Sequence, residues 1–179
     1  MPRQLLRFFV TVSSFTIVLL GPKFLQSVLE GSKRQSKQFR GFRDVVVGAV
    51  HRLHYQAALK NEPDNPRLLN NLAFALIELG DPKASDIAER AYVQAPFNAD
   101  VIDTFGWALV QTSDVSRGTE LLRSALSLAP ANAEIRLHLA KALLKSGDKA
   151  SARRELETLA KLDPSSPIRA DAEKLLSGL

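Results

Sequence analysis

The side chains that could do chemistry are few, and their spacing works against it. His51 and His54 stand three residues apart, which can place two imidazoles on one face of a helix. A zinc site needs three or four ligands; no third follows at a suitable spacing, and the chain has no cysteine. The pair therefore reads as a surface feature. Asp100, Asp103 and Asp114 could be mistaken for a general acid and base. Asp100 begins a helical stretch, where a carboxylate suits the helix dipole, and Asp114 occupies a turn. His138 lies within another helical stretch, where a hydrogen bond to a neighbouring unit explains it better than catalysis. The chain carries no glycine-rich phosphate loop, no G-x-S-x-G elbow and no H-E-x-x-H. Enzyme activity is not expected, and neither a metal nor a cofactor is implied.

The elements that carry these residues recur. Prolines stand in Glu62-Pro63-Asp64-Asn65, Ala95-Pro96-Phe97-Asn98, Ala129-Pro130-Ala131-Asn132 and Asp163-Pro164-Ser165-Ser166. Successive ones lie 33, 34 and 34 residues apart. A constant period of this size marks a helical repeat array. Aligned on the prolines, three helices read Leu69-x2-Leu72-Ala73-x2-Leu76, Ile102-x2-Phe105-Gly106-x2-Leu109 and Arg136-x2-Leu139-Ala140-x2-Leu143. Apolar residues three and four apart make one stripe on each. The small Ala73, Gly106 and Ala140 let a second helix come close, and that helix offers Ala84, Gly118 and Ala152 in return. Gly80-Asp81, Ser113-Asp114 and Gly147-Asp148 mark the turns between them. Each unit is a hairpin of about 14 plus 12 helical residues, closed by a proline that cannot continue the helix.

These residues resemble the tetratricopeptide repeat family, whose pattern is W-x2-L-G-x2-Y, then A-x3-F, then P. Gly106, Gly118 in place of the usual Ala, and Pro130 carry the match in the central unit; the similarity spans roughly Pro66–Ser166. The first full unit is one residue short near Asp81-Pro82, and Leu69, Ile102 and Arg136 replace the large aromatic at the head. Asn71-Leu72-Ala73-Phe74 and Asp103-Thr104-Phe105-Gly106-Trp107 are similar to the C-terminal repeats of bacterial envelope proteins of this family, those associated with exosortase and exopolysaccharide systems. The resemblance implies an all-α fold: a right-handed superhelical solenoid of helix hairpins with a C-terminal capping helix. It also implies a concave groove lined by the first helices. The candidates there are Asn70, Phe74, Ile77 and Glu78; Asp103, Trp107, Val110 and Gln111; and Leu137, Lys141, Leu144 and Lys145. Phe74 and Trp107 hold equivalent positions one unit apart, and both a binding and a packing role stay open for them.

The net charge of +5 is unevenly spread. Residues 1–43 carry eight Lys/Arg and one acidic residue, while the rest carry sixteen and eighteen. A basic repeat surface for nucleic acid is therefore not supported, and no nucleic-acid partner is expected. Residues 1–43 form an apolar signal-like or anchor segment and a basic linker. The apolar run Phe8–Leu20 would cover about 20 Å as a helix, short of the roughly 30 Å of a bilayer core. An uncleaved signal anchor, a helix packed on the array and a cleaved signal all remain open. The linker Gly31–Arg43 reads as a solvated connector, with contact to anionic lipid as the sharper alternative. Residues 44–65 make a half repeat, its second helix only; 66–98, 99–132 and 133–166 are full units; 167–179 is the capping helix. The expectation is a non-catalytic scaffold that binds a peptide or partner helix in the groove. The alternatives are a membrane-anchored assembly factor in bacterial envelope or exopolysaccharide secretion, and an orphan C-terminal fragment of a longer repeat protein. A membrane-associated or periplasmic location is favoured over a cytoplasmic one.

Overall fold

The computed structural model describes residues 37–112 and 114–179, with side chains from Val47 onward. The apolar segment Met1–Leu20, the first half of the linker and Ser113 lie outside the described residues. The chain divides into two compact units, 1–47 and 48–179, and the second contains the repeats. Among the described residues there are eight helices and no strand: α1 (Lys37–Ala58), α2 (Pro66–Glu78), α3 (Ala84–Gln94), α4 (Ala99–Thr112), α5 (Val115–Leu128), α6 (Ala133–Ser146), α7 (Lys149–Leu159) and α8 (Pro167–Leu176). None of them is long and apolar enough to cross a membrane. The expected connector Gly31–Arg43 needs correcting at its end, because α1 already begins at Lys37. Lys, Gln, Phe and Arg are adequate helix formers, and the lone Gly41 costs only about 1 kcal/mol, so nothing there stops the helix.

The helix ends explain the period. Asn65, Asn98 and Asn132 each follow a proline by two residues, and each side chain accepts from backbone N–H groups of the next helix. The same short motif thus ends one unit and starts another. Within units, Gly80 (φ 66°) and Gly147 (φ 88°) adopt the left-handed conformation that stops α2 and α6. Asp114 and Asp148 then cap α5 and α7 by accepting from Arg117 N and Ser151 N.

Helix pairs close on small residues. A Cβ built on Gly118 would lie 2.6 Å from Gly106 O and 2.7 Å from Val110 Cγ2. Alanine, the usual residue here, therefore has no room, because Gly106 has drawn the two backbones together. The apolar core is shared between units. Leu72, Leu76, Ala84 and Ala88 of the first hairpin pack with Phe105, Ala108 and Leu109 of the second. Val110 and Leu122 of the second pack with Leu139, Leu143 and Ala152 of the third. No hairpin can bury its face alone, which is the defining property of a solenoid. The cap behaves as the sequence suggests. Ile168, Leu175 and Leu176 of α8 pack against the cluster that includes Leu137, Leu156 and Leu159, while Asp171, Glu173 and Lys174 face solvent.

Candidate functional site

The first helices α2 and α4 each pack on the next first helix, and α6 packs on the capping helix α8. The second helices α3, α5 and α7 do not pack on one another to a comparable extent; Arg117 of α5 spans to Glu89 of α3 with a 3.0 Å ion pair. Helices crowded on one side and spread on the other put the first helices on the inner side of the bend. Period alignment sorts their inner residues into rows: Asn70, Asp103 and Leu137; Phe74, Trp107 and Lys141; Ile77, Val110 and Leu144; Glu78, Gln111 and Lys145.

These rows differ in how open they are. Phe74 is 49% exposed, an unusual state for a phenylalanine in a helix. Glu78, Gln111 and Lys145 are exposed, while Asn70, Trp107 and Lys141 are half-buried. Ile77 and Leu144 are half-buried and lean on the core clusters. Two expected groove residues are placed otherwise. Val110 is 1% exposed and Leu137 is 6% exposed, so both are core residues and present no surface. Each lies beside a residue of the open face, and a helix turn of 3.6 residues leaves such edge positions undecided from sequence.

Asp103 is also occupied. Its carboxylate oxygens lie 3.0 and 2.9 Å from Nδ1 of His138, on the next unit. A carboxylate only accepts, so Nδ1 carries the proton and donates. This is the bond between neighbouring units that the position of His138 suggested. The imidazole in turn stacks on the indole of Trp107, with ring centroids 4.7 Å apart and planes 7° from parallel. Asp103 and Trp107 are one turn apart on α4, so the three side chains form a closed clasp across the seam. Lys145 adds a second link by donating to the carbonyl of Val110. The clasp was legible in principle, since His138 follows Asp103 by one period plus one. An Asp–His pair can act as a base, but it needs a nucleophile or substrate to receive the effect. No Ser or Thr hydroxyl among the described residues bonds to this imidazole, and that of Thr104 donates to Asp100 O. His51 and His54 are exposed and flank Tyr55. Asp100 lies in the first turn of α4.

The opposite face carries structural ion pairs. Arg136 binds Glu155 and the carbonyl of Pro130, joining α6 to α7 and to the preceding loop. The Arg117 guanidinium also lies 5.1 Å above the Phe105 ring.

Comparison with known proteins agrees with this architecture. The tetratricopeptide repeat family matches residues 109–177, and a second match to it covers 54–85. Cellulose synthase operon protein C of Komagataeibacter sucrofermentans and of Komagataeibacter xylinus is 32% identical over 108 residues. That stretch is 59% of this chain but only 8% of those proteins, so the chain spans less than a tenth of their length. Among solved structures, the fold is similar to YrrB, described as a TPR protein with an unusual peptide-binding site (TM-score 0.59, 16% identity, 89% of this chain and 86% of that one). It is similar also to MamA from Desulfovibrio magneticus RS-1 (TM-score 0.57, 16% identity, 81% and 86%). The repeats, their caps and these matches agree: the chain belongs to the tetratricopeptide repeat family.

Proposed function

We propose that the chain is a non-catalytic interaction scaffold that holds a peptide or partner helix against the inner row of first helices. The observation that carries this reading is the pair Phe74 and Trp107. Two aromatic rings stand at one repeat position on the inner face, one of them half exposed. Trp is enriched where binding energy concentrates, and an apolar strip between polar edges suits an extended or helical peptide. Asn70, Ile77, Gln111, Lys141 and Leu144 complete the surface. Asp103, Val110 and Leu137 support it from beneath. That YrrB, a protein of the same fold, is described as peptide-binding adds to the case.

Trp107 is the sole tryptophan, so its fluorescence reports on this face without labelling. Peptides selected from a displayed random 12-residue library should shift that emission and bind with micromolar affinity or better. Phe74→Ala should weaken them at least about tenfold, the effect of a modest hot spot, while the helical circular dichroism stays unchanged. Unaltered affinity would reduce the two rings to packing.

A second reading is an assembly factor in bacterial envelope polysaccharide secretion. It draws on the 108-residue similarity to cellulose synthase operon protein C and on the narrower likeness of Asn71–Phe74 and Asp103–Trp107. Deleting the gene and measuring exported polysaccharide tests it; unchanged export would end it.

A further inference from the structure

The inner face is electrically polarised along the array, and this bears on what it takes. One repeat position runs Phe74, Trp107, Lys141; the position one turn on runs Glu78, Gln111, Lys145. The first row passes from two rings to a cation, and the second passes from acid through amide to base. The contacts place the helical stripe that carries both cations at the seam between the second and third units. His138 and Lys145 reach back from α6 to α4, one to Asp103 and Trp107, the other to Val110 O. Lys141 lies between them on the same helical stripe, half-buried, and its ammonium has no ion pair among the described residues. Asp103, across the seam on α4, is already bound to His138. Glu134, at the far end of the stripe, is exposed.

Resting on the scaffold reading above, we infer that the occupant of this face is an extended peptide bearing two apolar side chains and, at the end nearer the third unit, a carboxylate that pairs with Lys141. Packed helices lie about 8–10 Å apart, and an extended chain rises about 3.3 Å per residue. One step along the row therefore corresponds to about three peptide residues. The motif is an apolar residue, a second one about three positions away, and Asp or Glu about three positions further. At the opposite end, Glu78 disfavours an acid, so the order of anchors relative to the charge is fixed by the array.

The test uses the full chain and a displayed library of random 12-residue peptides. Enrichment of the apolar-apolar-acidic spacing is expected. For one enriched peptide, replacing its acid by the amide, or Lys141→Gln in the protein, should each weaken binding about tenfold, and the two changes together should do no more than either. Lys141→Glu should reverse the preference, binding a lysine-substituted peptide more tightly than the acidic one; a merely structural role for Lys141 would not produce that exchange. Enriched peptides without an acidic position, or equal affinity for wild type and Lys141→Gln, would overturn the inference while leaving the scaffold reading intact. A library from which nothing is enriched would overturn both.

Discussion

The seam between the first and second units and the seam between the second and third are built from the same positions with opposite results. Asn70 and Asp103 are one period apart. Asp103 meets His138 and bonds to it at 2.9 Å, at a site where both side chains are mostly shielded. By the repeat offset, the residue that corresponds to His138 for Asn70 is Thr104, whose hydroxyl is committed to Asp100 O. The side-chain oxygen of Asn70 is buried and has no hydrogen-bond partner. Between the first helices, the first seam is therefore held by apolar packing around Phe105, with the exposed Arg117–Glu89 ion pair between the second helices, and the second seam by packing plus a shielded polar clasp. A repeat position has no fixed worth; its contribution depends on the residue one period plus one further along.

Because the Arg117–Glu89 pair is exposed and apolar packing dominates the first seam, Phe105→Ala should have the largest effect of any single change. The ring is 1% exposed and lies against Tyr92, with centroids 5.5 Å apart and planes tilted by 33°. Removing it should cost about 3–5 kcal/mol, enough to unfold a short array in which each unit relies on its neighbours. Urea melts followed by circular dichroism measure this. A loss below 1 kcal/mol would mean that the seam is not held by that cluster.

A sharper contrast comes from one substitution made at both equivalent positions. Leucine already occupies the place in the third unit, as Leu137. Asp103→Leu removes the acceptor of the His138 N–H and should cost about 1–3 kcal/mol. Asn70→Leu removes an unpaired buried oxygen instead, and should raise stability by about 1 kcal/mol. Equal signs in the two melts would break the distinction between the seams.

Most of the fold was legible because its causes are local. Proline-x-asparagine ends one helix and caps the next, and Gly147-Asp148 does the same within a unit, so a short motif at a fixed period fixes the hairpin. Which inner residues stay open depends on more. Val110 and Gln111 are adjacent, yet Val110 is buried against Leu122 of α5 and Leu139 and Leu143 of α6 while Gln111 is exposed, and those contacts come from other helices. Asp103 reads from sequence as a groove residue; its bond to His138 is not evident from Asp103 itself, because the partner is 35 residues away. The early start of α1 was missed for the reverse reason: charge and a glycine suggested a connector, though nothing there forbids a helix.

The smallest effect separates the third unit from the first by pH. Asp148 caps α7 by accepting from Ser151 N, and this bond, with lesser help from Arg123 and Arg154, holds its carboxyl below the usual carboxylate range. Asp163 is held down likewise by Ser165. A depressed folded-state value means that the charged form is favoured by folding. The contribution is therefore complete above the ordinary value of about 3.9 and is lost as pH falls through the lower folded value. Asn caps a helix about as well as Asp and does not titrate. Asp148→Asn should match wild type at neutral pH and show a shallower fall in melting temperature from pH 5 to pH 2. Because α7 packs on α6 rather than on the first seam, the gain should appear in amides of α6 and α7 and not in those of α2. Identical acid limbs for the two proteins would mean that this cap makes no measurable contribution to the acid stability of the third unit.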